Sequence, residues 1–207
     1  MSGVRIVTIA GASALLCACT TTPPAAVTTY EVTDCVTTPS FAEPIDLTLA
    51  EGKNSLNEKT RIHAETPCLE LAGERGPYVV YRLPTRGVVE IGSQLEAARV
   101  MAVNVALLDS EGEMLREFDR DQYNFRSGML SVQFEPQVGE AYALVTTNNA
   151  MVGDGIQGVE TGISSTYIAT GYGGFIWFGG SEAAMDRGYS YAGELRARVM
   201  VRPEDRD

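Results

Sequence analysis

The residues in this sequence that are most able to take part in covalent, metal-binding or acid–base chemistry are four cysteines and a single histidine. They are Cys17, Cys19, Cys35, Cys68 and His63. A thiol can form a disulfide, carry a covalent group, bind a metal or attack a substrate, and an attacking serine or cysteine normally needs a base such as imidazole. The chemistry available to this chain therefore depends on the spacing of these five residues and on the compartment in which they reside.

The surroundings of His63 do not indicate a catalytic site. This residue lies in the segment Arg61-Ile-His-Ala-Glu65, and the chain contains no GxSxG nucleophile motif. Structural zinc is disfavoured as well, because the sequence has neither CxxC nor HxxxH spacing. We therefore predict no catalytic residues, no metal site and no cofactor. A hydrolase with an unrecognised site is the remaining enzymatic alternative.

Residues 1–18 are typical of an export signal. Arg5 precedes an apolar run of about 13 residues that begins at Ile6, which is shorter than the ~20 residues that a membrane-spanning helix requires. No integral membrane domain is expected. The run ends in Leu16-Cys17-Ala18-Cys19, which resembles the lipobox of bacterial lipoproteins.

The lipobox resemblance implies that the signal is cut before Cys19 and that Cys19 is lipidated. Cys17 does not fit the pattern, because bulky Leu16 would stand directly before it. Acyl chains such as palmitate would hold the protein on the membrane, since each buried methylene contributes about 0.8 kcal/mol. Because Thr20 and not Asp follows the cysteine, the resemblance further implies the outer membrane, with the domain facing the periplasm. An ordinary secretory signal, cleaved within residues 12–18, is the alternative.

Residues 19–44 are predicted to form a flexible tether. This segment contains eight Thr and four Pro, which favour extended over helical backbone. With Cys17 removed and Cys19 lipidated, Cys35 and Cys68 are the remaining thiols in an oxidising compartment, and an even remainder predicts one disulfide. Such a bridge would stabilise the fold by roughly 3–4 kcal/mol in the chain-entropy model and would attach the base of the tether to the domain.

Residues 45–207 are predicted to form one all-β domain, an antiparallel and jelly-roll-like β-sandwich. From residue 76 onward, short runs rich in Val, Tyr, Phe and Thr end at Gly, Pro, Asn or Asp. The turn chemistry of Asp109-Ser-Glu-Gly112 predicts a hairpin of Val103–Leu108 with Glu113–Phe118.

The C-terminal part of the domain is predicted to be less regular. Residues 150–166 are rich in Gly and Ser, which favours a long loop, and Glu182–Arg187 could form one helical turn. Residues 167–180 and 188–201 are predicted as closing strands. Apolar and polar residues alternate along Ala192–Val201, as expected for a strand with one buried face.

Five segments between residues 76 and 147 follow each other in a recognisable order: GPYVVYRLP, VEIGS, VNVALLDSEGEMLREF, MLSVQFEP and VGEAYALVTT. They resemble the bacterial pre-peptidase C-terminal and related carbohydrate-binding-like sandwiches, in which a hairpin with an L-D-x-x-G turn precedes an F-x-P-x-x-G-x-Y step. The layout of the chain is also similar to that of the maltose-operon periplasmic protein family, which are exported proteins with a C-terminal β-sandwich. Both resemblances concern the fold, and no functional residue is transferred from either.

Charge and aromatic residues bear on the choice of partner. The chain has 16 Lys+Arg against 27 Asp+Glu and a formal net charge of −11, which argues against nucleic acid. Aromatic residues concentrate between 167 and 191 among glycines, and Tyr172, Phe175, Trp177 and Phe178 are candidate binding residues. A buried strand pair would also explain this cluster. We expect a non-enzymatic envelope lipoprotein that binds or assembles with a protein partner, or alternatively a carbohydrate-binding accessory protein.

Overall fold

The computed structural model describes residues 24–63, 65–126, 128–170 and 173–203, and of residues 157–170 and 173–186 it describes the backbone alone. The described chain is almost entirely β-structure, as predicted, with one short 3-10 helix at Arg120–Gln122. Numbered in chain order, the strands are β1 (Ile45–Asp46), β2 (Ser55–Ile62), β3 (Cys68–Leu71), β4 (Glu74–Pro77), β5 (Val79–Arg82), β6 (Val88–Gln94), β7 (Arg99–Met101), β8 (Val103–Leu108), β9 (Met114–Glu117), β10 (Asn124–Arg126), β11 (Met129–Phe134), β12 (Tyr142–Thr147), β13 (Gly155–Thr170), β14 (Gly173–Ser190) and β15 (Gly193–Met200).

Two five-stranded sheets pack face to face as a sandwich. Sheet I has the strand order β1-β5-β12-β8-β9, and sheet II has the order β10-β11-β6-β15-β2. Neighbouring strands are antiparallel in both sheets except for the parallel pair of β1 and β5. The predicted hairpin of β8 with β9 is confirmed. The prediction of an all-β antiparallel sandwich is thus correct.

The alternation of side chains along each strand builds the core between the sheets. In β15 of sheet II, Leu195, Ala197 and Val199 are fully buried, and the residues between them are partly exposed. This confirms the predicted half-buried strand. Val105 and Leu107 of β8 belong to the same core from the side of sheet I. Because a strand has a period of two, one buried face follows directly from this pattern.

Sheet I is covered on its outer face as well. Leu69 of β3 packs there against Val80 and Leu144, with Phe41 at the margin. The β3–β4 hairpin therefore acts as a small lid on sheet I. Strands buried on both faces read as nearly continuous apolar runs, which is why β8 and β12 lack a clear alternation.

The structure corrects two predictions in the C-terminal part of the domain. Most of residues 150–166, predicted as a loop, belongs to β13, and Glu182–Arg187, predicted as a helical turn, belongs to β14. Glycine and serine favour turns locally, but strand formation depends on the partner strand with which the backbone pairs. Here each of the two segments supplies the partner of the other.

Candidate functional site

In the described chain, the β13–β14 hairpin has two outer edges that are unpaired over most of their length. The strands pair with each other from Gly155↔Gly188 to Thr170↔Gly173. Within the described part of the chain, the hairpin joins a further strand only where Gly188–Ser190 pair with β7. A strand of 16 residues is about 54 Å long at about 3.4 Å per residue. Beyond its base, the hairpin therefore presents long rows of backbone N–H and C=O groups that can accept another strand.

The predicted binding residues lie at the far end of this hairpin. Phe175, Trp177 and Phe178 are in β14, and Tyr172 falls outside the described residues. The register partners of the three are Ile168, Thr166 and Ser165, in that order. Since alternate residues of a strand share a face, Phe175 and Trp177 belong to one face of the hairpin and Phe178 to the other. The predicted residues thus sit together along the chain but are divided between two faces.

Two other aromatic residues of the same stretch have different surroundings. Tyr189 is 3% exposed and packs with Val100 and Met151 at the base of the hairpin. Tyr191 is partly exposed and stacks on Tyr30 with ring centroids 5.3 Å apart. The aromatic-rich stretch between 167 and 191 therefore includes one core residue, Tyr189, and one partly exposed residue, Tyr191.

Charge is absent from the far half of the hairpin. The 21 residues from Thr161 to Ser181 contain no Asp, Glu, Lys, Arg or His. The register places the last charged residues, Glu160 and Glu182, next to each other on the two strands, because Glu160 pairs with Ala183 and Glu182 pairs with Thr161. Both strands thus lose their charges at the same level, which divides the hairpin into a charged base and an uncharged end.

Glu96 organises the base of the hairpin. Its carboxylate accepts a hydrogen bond from Nε of Arg99 at 2.5 Å. The same carboxylate forms an ion pair with Arg61 of β2. Its backbone carbonyl accepts a hydrogen bond from Nε of Arg187 in β14 at 2.8 Å. Burial alone would raise the pKa of Glu96, but the hydrogen bonds from Arg99 and Arg61 outweigh it and hold that pKa below its ordinary value.

The segment before Cys35 lies against the same base. Arg99 donates a hydrogen bond to the carbonyl of Ala25 at 3.2 Å, and the backbone N–H of Val27 donates to Oγ of Ser190 at 2.9 Å. The N–H of Tyr191 in turn donates to the carbonyl of Val27 at 2.9 Å. The N-terminal part of the predicted tether is therefore held on the domain beside the hairpin.

None of these base residues was identifiable from a local pattern. Glu96 and Arg99 are three residues apart, whereas Arg187 is distant along the chain and meets them because β7 pairs with the end of β14. Arg99 and Arg187 are both buried, although arginine is rarely buried without a partner. Their carbonyl and carboxylate acceptors satisfy that requirement.

A cavity of about 500 Å³ lies between this N-terminal segment and the end of β14. Its lining includes Tyr30, Tyr191, Val27, Glu31 and His63. The Nδ1 atom of His63 accepts a hydrogen bond from the N–H of Glu65 at 3.2 Å. The cavity offers aromatic rings and polar groups of the kind that bind small polar molecules.

The cysteine predictions have different outcomes. The disulfide of Cys35 with Cys68 is present, and it joins the N-terminal segment to β3 on the outer face of sheet I. Cys19 and Cys17 lie outside the described residues. An additional parallel bridge between Val36 and Leu69 continues the attachment next to the disulfide.

Comparison of the chain with protein families, with curated proteins and with solved structures finds no match. In the ranges that the structure describes, no helix has the length and apolar character needed to cross a membrane. The same ranges hold no group of three or more His, Cys, Asp or Glu side chains arranged to bind a metal ion.

Proposed function

We propose that this protein is a lipid-anchored outer-membrane lipoprotein that binds a protein partner of the cell envelope through its β13–β14 hairpin. The observation that carries the proposal is the pair of outer edges, along β13 and along β14 before Gly188, that pair with no further strand in the described chain. An extended segment of a partner can add to such an edge through main-chain hydrogen bonds, and the side chains at alternate positions then select the partner. The function is binding or assembly, with no turnover of a substrate.

Energetics supports the hairpin as a binding element. An isolated two-stranded ribbon is marginally stable in water, because it buries little apolar surface. Its base is held by the hydrogen bond of Arg187 and by the burial of Tyr189, whereas the part beyond Glu160 pairs only with itself in the described chain. A partner strand would satisfy the open backbone groups and stabilise the ribbon at the same time.

The composition of the far end favours a protein partner too. Interface centres are depleted in charge and enriched in aromatic residues, because uncharged groups lose little hydration when they are buried. The stretch from Thr161 to Ser181 has no charge, although the chain carries a net charge of −11. It contains Tyr172, Phe175, Trp177 and Phe178, the four residues predicted to bind.

The lipid at Cys19 would place this hairpin close to the membrane. Ala25 is held by Arg99 at the hairpin base and lies six residues after Cys19. Six residues of extended chain reach at most about 20 Å. The partner would therefore be met near the periplasmic surface of the outer membrane, at a shorter distance than a free tether of residues 19–44 would allow.

The partner interaction can be tested with a photo-crosslinking amino acid in the full lipoprotein in cells. We expect adducts from Thr166 in β13 and none from Val138, an exposed residue on a turn of the sandwich.

A shortened hairpin, in which a two-residue Asn-Gly turn joins Gly158 directly to Met185, keeps the register of the base. It should remain folded and membrane-bound but lose the partner. Adducts of equal yield from Val138, or undiminished partner recovery with the shortened hairpin, would contradict the proposal.

The lipid anchor is tested separately by metabolic labelling with a fatty acid. Wild-type protein should incorporate label and sediment with the outer membrane, and Cys19→Ser should lose the label and leave the domain soluble in the periplasm. Cys17→Ser is the matched control and should behave as wild type. Label that persists in Cys19→Ser would refute lipidation at this position.

Carbohydrate binding is the second candidate, and the cavity beside Tyr30 and Tyr191 is the observation that favours it. Aromatic rings with adjacent polar groups suit sugar rings. Titration of the protein with cell-wall glycans or maltodextrins, followed by Trp177 fluorescence and by NMR shifts of the Tyr191 amide, tests it. Absence of any saturable change with these glycans would remove this candidate.

A further inference from the structure

A cleft rich in arginine lies at one end of the sandwich, and its described lining includes no residue of the hairpin. It has a volume of about 1000 Å³ and runs between the edge strand β9 of sheet I and the ends of β11 and β15 in sheet II. We call it the arginine cleft. Its charged lining residues are Arg116, Arg126, Arg202 and Glu135.

The charge of the arginine cleft is opposite to that of the protein. Acidic residues outnumber basic ones by 27 to 16 in the whole chain, whereas the described lining of the cleft has three arginines and one carboxylate, with the carboxylate of Glu140 behind Arg116. Like charges gathered in a concave surface reinforce one another and attract counterions. Amide side chains of Asn54, Gln133 and Gln137 add neutral hydrogen-bond donors to the same surface.

Arg116 is held in place before any ligand arrives. Its guanidinium lies over the rings of Phe118 and Phe134, at 5.3 and 5.7 Å from their centroids. Nη2 donates to Oε2 of Glu140 at 2.9 Å and to the carbonyl of Glu135 at 3.3 Å. Because the side chain of Glu140 is 3% exposed and that of Arg116 is 30% exposed, the pair is fixed from behind while part of Arg116 remains open to the cleft.

The other two arginines are more exposed than Arg116. Arg202 pairs with Glu135, and both side chains are 51% exposed, so a competing anion can reach them. Nη1 of Arg126 donates to the neutral side-chain oxygen of Gln133, which leaves the charge of Arg126 without a carboxylate in that contact. Glu135 therefore acts as the internal competitor for an incoming anion, since it contacts Arg202 through its carboxylate and Arg116 through its carbonyl.

We propose that the arginine cleft binds a phosphate group of a ligand. The carboxylate of Glu140 takes one hydrogen bond from Arg116 and leaves Arg126 and Arg202 uncontacted, whereas a phosphate offers three or more oxygens and up to two charges to several guanidinium groups at once. The phosphate can belong to a soluble compound or to a lipid headgroup. The site is independent of the hairpin and adds a ligand to the protein-binding function proposed above.

The proposal is tested by isothermal titration calorimetry, in which inorganic pyrophosphate is added to the full mature protein at low salt. Flotation of the protein with vesicles of phosphatidylglycerol in phosphatidylcholine tests whether the phosphate can belong to a lipid headgroup. Flotation uses the soluble Cys19→Ser protein, so that the acyl anchor does not contribute. Arg126→Gln and Arg202→Gln should each weaken binding about threefold or more, as expected when one exposed charge contact is lost. Glu135→Gln should strengthen it by a similar factor, because the competing carboxylate is removed.

Arg196→Gln is the matched control. Arg196 lies in β15, pairs with Glu194 at 3.2 Å and is not part of the cleft lining. The Arg196→Gln substitution removes one positive charge outside the cleft, so binding of pyrophosphate and vesicles should stay at the wild-type level. The proposal is overturned by the absence of saturable binding to both pyrophosphate and vesicles, by a loss with Arg196→Gln equal to that with Arg126→Gln, or by weaker binding in Glu135→Gln. Saturable binding to either probe with the expected order of variants supports it, and the responding probe identifies the source of the phosphate.

Discussion

Tyr30 stacks on Tyr191, with the ring centroids 5.3 Å apart and the ring planes inclined by 29°. The contact joins the N-terminal segment to the residue that directly follows β14. Together with the hydrogen bond from the N–H of Tyr191 to the carbonyl of Val27, it attaches the segment near the hairpin base, and the disulfide at Cys35 attaches it a second time. A displacement of this segment would therefore reach the hairpin base directly.

Replacement of Tyr30 by alanine should release this segment without unfolding the sandwich. An aromatic pair contributes about 0.5–1.5 kcal/mol beyond the area that it buries, so the loss in stability is modest. Hydrogen exchange followed by mass spectrometry should show faster exchange of the Tyr191 amide, which donates to Val27. Thr29→Ala is the control, since Thr29 is exposed. Unchanged protection of Tyr191 in Tyr30→Ala would show that the stack does not hold the segment.

Removal of the disulfide should lower the stability of the whole domain. Cys35 and Cys68 close a loop with a sequence separation of 33. In the chain-entropy model, such a loop stabilises the folded state by roughly 3–4 kcal/mol. Urea unfolding of the protein with both cysteines replaced by serine should give a free energy lower by about this amount. Wild-type protein unfolded under reducing conditions provides the control and should match the variant, and a variant as stable as the oxidised protein would contradict the expectation.

Gly92 in β6 should not tolerate a side chain. A Cβ atom at this position would lie 2.2 Å from the carbonyl oxygen of Leu130 and 2.5 Å from Cα of Ser131. These are backbone atoms of the neighbouring β11, so the sheet itself would have to shift. We expect Gly92→Ala to destabilise the domain by about 3 kcal/mol.

The control for this substitution is Gly155→Ala. An added Cβ at Gly155 meets no atom within 4 Å, and the change should stay within about 0.5 kcal/mol. Thermal unfolding of both variants measures the difference. If both alanine variants unfolded at the same temperature as the wild type, the close approach of β6 and β11 would not be a real constraint.

Tyr81 should make the protein sensitive to alkaline pH. Its ring is fully buried, its hydroxyl donates to Oγ1 of Thr60 at 3.0 Å, and burial raises its pKa to about 12. Because the folded state holds this proton more tightly than the unfolded state, the stabilisation is complete below the ordinary pKa near 10 and is lost as the pH rises from 10 towards 12.

The free energy of unfolding measured across this range should therefore fall more steeply for the wild type than for Tyr81→Phe. At neutral pH the phenylalanine variant lacks the hydrogen bond to Thr60 and should be less stable by about 1 kcal/mol. The two curves should converge as the pH rises above 10. Parallel curves would mean that Tyr81 titrates as an ordinary tyrosine.

Much of the fold was predictable because it depends on local alternation. The period of two in Leu195, Ala197 and Val199 gives the buried face of β15, and the Asp109–Gly112 turn gives the β8–β9 hairpin. β2 is less evident, since its sequence SLNEKTRI is rich in polar and charged residues, and seven of its eight residues are exposed or only partly buried. It becomes a strand because it pairs along its length with β15.

The candidate site was predictable only in part. The chain positions of Phe175, Trp177 and Phe178 indicate the far end of the hairpin as a binding region. The hairpin itself does not follow from the sequence, because Gly-rich and Ser-rich segments favour turns unless a partner strand is known. The Glu96 contacts and the arginine cleft were invisible for a related reason. Arg61 and Arg187 reach Glu96 from strands that are distant from it along the chain, and the cleft is lined by the ends of several strands.

Residue types and their short spacings are enough to show which residues can carry covalent chemistry and which faces of the regular strands are buried. The pairing of Cys35 with Cys68 followed from counting thiols, and the sandwich followed from side-chain alternation, since both depend on residue type and short spacing. Tertiary structure decided that the N-terminal segment lies on the domain and that two long strands pair into an open-edged hairpin. It also decided that arginines of an acidic protein share one cleft. These relationships depend on backbone hydrogen bonds and charge contacts between distant segments, and no local pattern in the chain records them.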